Sequence, residues 1–339
     1  MRKAARTPAR FRTGRRAAGA VLVTALALSA CSSTGGKQAQ EEATGVAAGK
    51  ADTPRMKITM ITHAPSGDTF WDIIRKGAQA AAAKDNVQFQ YTNDVDPGKQ
   101  ATLIQNAIDS KVDAIAVTLP NPGALTPAVK KAVAAGIPVV AFNAGVADWQ
   151  KSGALMFFGQ DETVSGEAAG KRLSAEGAKK VLCVVQEQGQ VQLEARCAGV
   201  QKGFSGTTEK LYVTGTNMPS VKSTITAKLQ TDKSIDHVIT LGAPIALTAV
   251  QSVKDSGSKA KVATFDTNSQ LVKALQDKDV QWAIDQQPYL QGYLAIDSLW
   301  LYKANGNVIG GGQATLTGPS FIDQSNLAQV AKFASAGTR

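Results

Sequence analysis

KITMITHAPSGDTFWDIIRKGAQAAAAKDNVQFQY, residues 57–91, passes in one run through a strand, a loop, a helix and a second strand. Lys57–Thr62 is a short β-rich run. Phe70–Lys84 is an Ala-rich helical pattern that stops before Asp85-Asn86, and Val87–Tyr91 reads as a strand again. The same cycle continues downstream. Helical patterns over about Pro97–Asp109 and Gly123–Ala135 alternate with strands at Ala114–Thr118 and Pro138–Phe142. A second series begins with a helix at Glu162–Ala175. Strands at Lys180–Val185, Leu211–Thr214, His237–Leu241, Val262–Phe265 and Gln281–Asp285 follow, separated by helices and closed by a long one over Tyr289–Ala304. The strands are short and nearly all apolar, as expected where helices cover both faces of a sheet. Strand-helix alternation at this spacing predicts parallel βαβ units in an α/β doubly wound architecture. One sheet would have to hold about ten strands, the upper end for an open twisted sheet, so two similar lobes account for the chain better.

The N-terminus predicts where the protein works. Residues 1–16 carry seven cationic side chains and no acidic one, and Ala17–Ala30 follow as fourteen largely apolar residues. That is an export signal, too short for a spanning helix, which needs roughly twenty apolar residues. Its end, Leu28-Ser29-Ala30-Cys31, resembles a bacterial lipobox, and the resemblance implies a mature chain that begins at Cys31 and is held to the membrane by lipid. Residues 31–55 have the composition of a flexible tether. Without residues 1–30 the formal charge of +10 falls to +3, from 30 basic and 27 acidic residues. The basicity belongs to the signal, so no nucleic-acid partner is expected. Cys183 and Cys197 are left as a pair, and in an exported chain either a disulfide between them or two reduced thiols fits. No Cys/His cluster has metal-binding spacing, so no metal or cofactor is expected.

Ligands of open α/β sheets gather at the carboxyl ends of strands. There the loop from His63 to Trp71 delivers two aromatics, Phe70 and Trp71, at a helix start. Either can stack on the apolar face of a ligand, or pack into the core. Asp68 suits the ligand site and equally a helix N-cap.

This opening is similar to that of the type I periplasmic sugar-binding proteins, the ribose-binding protein family. Further matching stretches are Val112-Asp-Ala-Ile-Ala-Val, Ala135-Gly-Ile-Pro-Val-Val, Gly159-Gln-Asp-Glu, Arg196-Cys-Ala-Gly, Thr264-Phe-Asp-Thr and Ile284-Asp-Gln-Gln-Pro, in the family's order. The resemblance implies two lobes, 56–160 plus 286–317 and 161–285 plus 318–339, with three crossovers and a ligand cleft between them. It implies ligand contacts from Asp68, Phe70, Trp71, Asn143, Arg196, Asp266 and Gln286. Each has a plainer role open to it: a surface ion pair with Glu194 or another acid for Arg196, a helix cap for Asp266, turn positions for Asn143 and Gln286. Trp149 and Tyr289 are further aromatics near loops. Ala144 stands where an arginine is expected and Gly242-Ala243 where Asn-Asp is usual, so fewer charged donors face the ligand than in a simple pentose or hexose site. The chemistry suits a polyol: carboxylates, amides and guanidinium satisfy vicinal hydroxyls in pairs, and an aromatic plate suits a ring's C–H face.

The sequence therefore predicts an extracytoplasmic, lipid-anchored, monomeric solute-binding protein that passes a sugar or polyol to an ABC permease and its ATPase. A sugar or autoinducer receptor for a membrane sensor is the alternative. An enzyme is not expected: neither histidine has an obvious nucleophile or carboxylate partner in sequence, and no GxSxG, GxxxxGK[ST], HExxH or GxGxxG motif occurs.

Overall fold

A computed structural model describes residues 50–339. The expected export signal, the expected lipidation site Cys31 and the expected tether up to residue 49 lie outside the described residues. In chain order the elements are β1 (Lys57–Thr62), α1 (Thr69–Lys84), β2 (Gln88–Asn93), α2 (Pro97–Asp109), β3 (Ala114–Val117), α3 (Pro122–Ala134), β4 (Val139–Phe142), α4 (Trp149–Ser152), β5 (Met156–Gln160) and α5 (Glu162–Ala175). They continue with β6 (Lys180–Val185), α6 (Val191–Gly203), β7 (Thr207–Tyr212), α7 (Met218–Thr231), β8 (His237–Thr240), α8 (Ala243–Ser256), β9 (Lys261–Phe265), α9 (Ser269–Gln276), β10 (Ala283–Asp285), α10 (Pro288–Asn305), β11 (Thr315–Gly318), β12 (Ser320–Ile322) and α11 (Leu327–Ser335).

The strands form two six-stranded sheets, ordered β11-β5-β4-β3-β1-β2 and β12-β10-β9-β8-β6-β7. The two orders are the same, element for element. Every pair is parallel except β10 with β12, which is antiparallel because β12 arrives straight from β11 across the single residue Pro319. Central strands such as AIAV and VVAF are buried along their whole length. The edge strands QFQYTN and TTEKLY are partly buried along the middle and exposed at both ends, and they hold polar residues accordingly.

Three strands were not expected from the sequence. MFFGQ, now β5, is fully buried, and its apolar run is too short to tell from a loop segment of the core. β11 and β12 have four and three residues and exist only because an established sheet edge receives them. The strand expected at Leu211–Thr214 begins earlier, at Thr207. Pairing with the whole of β6 sets its register, which hydrophobicity alone did not reveal.

Two helix crossings position what matters for function. A Cβ on Gly77 would overlap the carbonyl oxygen of Tyr289, and one on Gly292 that of Ile74, so α1 and α10 meet backbone to backbone. Likewise Gly166 and Gly170 of α5 lie against the backbone of α6, where Gly199 and Gly203 lie against α5 in return. The first crossing fixes Phe70 and Trp71 relative to Gln291, the second Glu162 relative to Arg196. Replacing Gly292 by valine should force the first pair apart and cost about 1–3 kcal/mol or more. The check is the urea midpoint at unchanged m-value, and a midpoint equal to the parent's would contradict the close crossing.

Cys183 on β6 and Cys197 on α6 have Cα atoms 6.0 Å apart, and their sulfurs are bonded in the structure, both fully buried. The bridge ties the helix that carries Arg196 to the strand beneath it. Among the described residues, no helix is long and apolar enough to cross a membrane, and no group of three or more His, Cys, Asp or Glu side chains could hold a metal ion.

Candidate ligand-binding site

The order of each sheet reverses beside β1 and β6, and the loops that leave their carboxyl ends face each other. Between them lies a cavity of about 290 Å³. All seven side chains expected at the site, Asp68, Phe70, Trp71, Asn143, Arg196, Asp266 and Gln286, line it. Trp149 does not; it is buried in the core of the first sheet. Tyr289 is also absent from the wall, its backbone being the floor against which Gly77 packs.

The first sheet supplies the aromatic wall. Asp68 caps α1, its Oδ1 accepting from the Phe70 N–H at 3.0 Å, so it serves as cap and cavity wall at once. Phe70 and Trp71 stand edge to face at 5.3 Å, and His63 meets the Trp71 ring at 4.6 Å, also edge on. His63 and Gln192 were not singled out by the sequence. His63 is the first residue beyond β1, so its place at a strand's carboxyl end was the available signal; Gln192 had none, because its contact is made only when the lobes meet. The Gln192 amide donates to His63 Nε2 at 3.0 Å, which leaves the Nδ1–H to donate to Thr118 Oγ1 at 2.8 Å. Burial, and then the charge of Arg196, hold the His63 pKa down at about 3.

That depression makes a pH prediction. With the folded value below the ordinary 6.5, the buried neutral ring contributes stability that is fully present above pH 6.5 and is lost as pH falls toward 3. His63→Asn has no such loss, so the melting temperature of the variant should gain on the parent's as pH drops through that window. A difference that stays constant with pH would contradict it.

The second sheet supplies the polar wall. Arg196 is 2 % exposed. Its Nε and Nη2 donate to the two carboxylate oxygens of Glu162, the latter at 2.9 Å, and its Nη1 donates to the Leu241 carbonyl at 3.0 Å. The guanidinium also lies 5.1 Å from the centre of the Phe265 ring and 3.7 Å from Asp266. Burial works against its charge, but Glu162 and Asp266 outweigh burial and hold its pKa above the ordinary value. The surface pair with Glu194 does not form; Glu194 accepts from Lys210 instead. Asp266 does not cap a helix. Asn268 caps α9, and Asp266 accepts from Gln286 Nε2 at 2.7 Å. Burial, opposed by Arg196 and Gln286, pushes the Asp266 carboxyl up to about 7.

Asn143 and Asp266 occupy equivalent places, each just beyond the strand fourth from the far edge of its sheet, β4 and β9. Both have left-handed backbones, φ 63° and 67°. Non-glycine residues rarely adopt this conformation, and here it turns both side chains toward the gap. Asn143 Nδ2 donates to Gln286 Oε1 and Gln291 Oε1, each at 3.2 Å, so a continuous network runs from Asn143 through Gln286 to Asp266 and Arg196.

Further hydrogen bonds join the halves directly. The Val191 N–H donates to the Pro120 carbonyl at 3.0 Å, and Asn268 Nδ2 donates to Thr69 Oγ1 at 3.3 Å. Three side-chain oxygens in the wall, Gln186 Oε1, Gln192 Oε1 and Thr267 Oγ1, are buried with no partner. Buried polar atoms are nearly always satisfied, so such a group on a cavity wall points to a hydrogen-bonding occupant.

Paired doubly wound sheets that enclose a cavity walled by aromatics on one side and polar groups on the other define a two-lobed binding protein. The chain belongs to the periplasmic binding protein family: the family model described as a periplasmic binding protein domain matches residues 58–307. It is 65% identical to a carbohydrate transporter from Acidothermus cellulolyticus 11B solved in complex with myo-inositol, at a TM-score of 0.84 over 84% of this chain and 100% of that one. A D-ribose/D-allose-binding protein of Pseudomonas aeruginosa is 26% identical over 84% of this chain and 91% of its own length. A xylose/arabinose-binding protein of Sulfolobus acidocaldarius is 24% identical over 81% and 72%. These relatives are binding proteins, and the chain is a binding protein rather than an enzyme.

Proposed function

We propose that the protein captures a cyclic polyol of the myo-inositol kind between its two lobes, outside the cytoplasmic membrane, and delivers it to an ABC importer. The observation that carries this reading is the single cavity in which the Phe70–Trp71 edge faces the Asp266–Arg196–Gln286 network. An aromatic wall covers the C–H face of a ring, and the opposite polar wall pairs its hydroxyls. The orphaned oxygens of Gln186, Gln192 and Thr267 add places for a ligand rich in O–H donors. The myo-inositol complex of the 65% identical protein supports the same class. The lobes are taken as 56–160 plus 286–317 and 161–285 plus 318–339, a division supported by the strand membership of the two sheets. The ligand favours closure because it touches both sides, and the crossovers near Gln160, Gln286 and Gly318 bend.

A thermal-shift series of pentoses, hexoses and inositols tests the reading. A ligand present at a hundredfold its dissociation constant adds about 2.7 kcal/mol of stability. An inositol should give that shift; no shift with any polyol would overturn the proposal. We assign the membrane tether to Cys31, the monomer as the working unit, and the ABC permease and its ATPase as partners. Cys31→Ser should abolish incorporation of labelled fatty acid and release the protein from the membrane fraction, whereas retention of label would refute the anchor.

A further inference from the structure

The ionisable groups on the cavity wall do not balance. Three are carboxylates, Asp68, Glu187 and Asp266, against His63 and one permanent cation, Arg196. Arg196 is already committed to Glu162, to the Leu241 carbonyl and to the neighbouring Asp266. Asp68 and Glu187 belong to the loops that follow β1 and β6, so they approach from opposite walls. Asp68 accepts only the Phe70 N–H and Glu187 only the Gln190 amide, and neither has a cationic partner among the described residues. Two buried oxygens on the same wall, Thr267 Oγ1 and Gln192 Oε1, lack any partner, in residues that are 1% and 5% exposed. The wall thus holds buried polar atoms without partners and is short of positive charge at the Asp68–Glu187 end.

Resting on the polyol reading above, we infer that the same cleft takes a polyol ring in which one hydroxyl is replaced by a protonated amine, with the ammonium between Asp68 and Glu187, and that it rejects anionic polyols. An ammonium brings three donors and a full charge to carboxylates that now share neither, and bonds of that kind are about twice as strong as neutral ones. Burial, and then the charge of Asp68, already push the Glu187 carboxyl up to about 7, in keeping with two uncompensated acids lining one cavity. A phosphate or carboxylate on the ring meets the reverse situation: the acids repel it, and the charge of Arg196 is already shared by Glu162 and Asp266.

Isothermal titration of the purified protein with myo-inositol, a monoamino analogue of it and an inositol monophosphate tests this near neutral pH. The amino compound should bind as tightly as myo-inositol or up to about tenfold tighter, and the phosphate about a hundredfold more weakly or not at all. Glu187→Gln should lower the amino-to-neutral affinity ratio by about tenfold, and Asp68→Asn should lower it likewise. Binding of myo-inositol with refusal of the amine, tight binding of the phosphate, or a ratio that neither variant moves would overturn this inference and leave the polyol reading standing. Silence from every compound would overturn both.

Discussion

Replacing Arg196 by alanine is expected to lower the unfolding free energy by about 3–5 kcal/mol, the cost of leaving a buried carboxylate without its partner. Glu162 is 2 % exposed, and among the described residues its only cationic partner is Arg196. Gln160 also donates to Glu162, at 2.7 Å, but an amide cannot neutralise the charge. The double variant Arg196→Met, Glu162→Leu removes both charges and should recover at least about half of the loss, since apolar replacement of a buried pair is often neutral. Neither variant should bind polyol, because the cavity loses its one permanent cation and Asp266 its neighbour. Denaturant unfolding and ligand titration on the same two proteins check this. A single variant as stable as the parent would mean that the pair is not buried as described, and a double variant that binds normally would remove Arg196 from the site.

Asp266→Asn should weaken polyol binding by about 1.5–3 kcal/mol, roughly 10- to 100-fold, while the ligand-free melting temperature stays near the parent's. The amide keeps an oxygen for Gln286 Nε2 and keeps the shape, so what is lost is the acceptor strength offered to ligand hydroxyls. Trp71→Ala should also abolish binding, but not as a clean probe. Trp71 is 6 % exposed, packs on Phe70 and His63, and belongs to the core of the first sheet, so its truncation should also cost about 3–5 kcal/mol of stability. Titration calorimetry beside thermal melting separates the two effects. An Asp266→Asn protein that binds like the parent would displace the polar wall from the site.

Much of the site was legible because of where α/β sheets place their ligands. A residue that follows a strand's carboxyl end, as Asn143 follows β4 and Asp266 follows β9, is marked by position alone. The motif matches then sorted these places by residue type. What stayed hidden depends on distance across the gap. Nothing local to Gln192 marks it as the partner of His63, 129 residues away, and nothing local to Glu162 marks it as the partner of Arg196, 34 residues away. Sequence proximity pointed to Glu194 instead, which lies on the same helix but faces Lys210.

The sequence by itself determined the alternation of most strands and helices, the two-lobe architecture and the loops that line the cavity, because hydrophobic period and strand ends are local properties of a chain. Only the tertiary structure decided the charge balance of the cavity. Whether Arg196 is free to meet a ligand or is held by Glu162 depends on how closely two glycine-bearing helices cross, and that approach is set by packing between segments far apart in the chain.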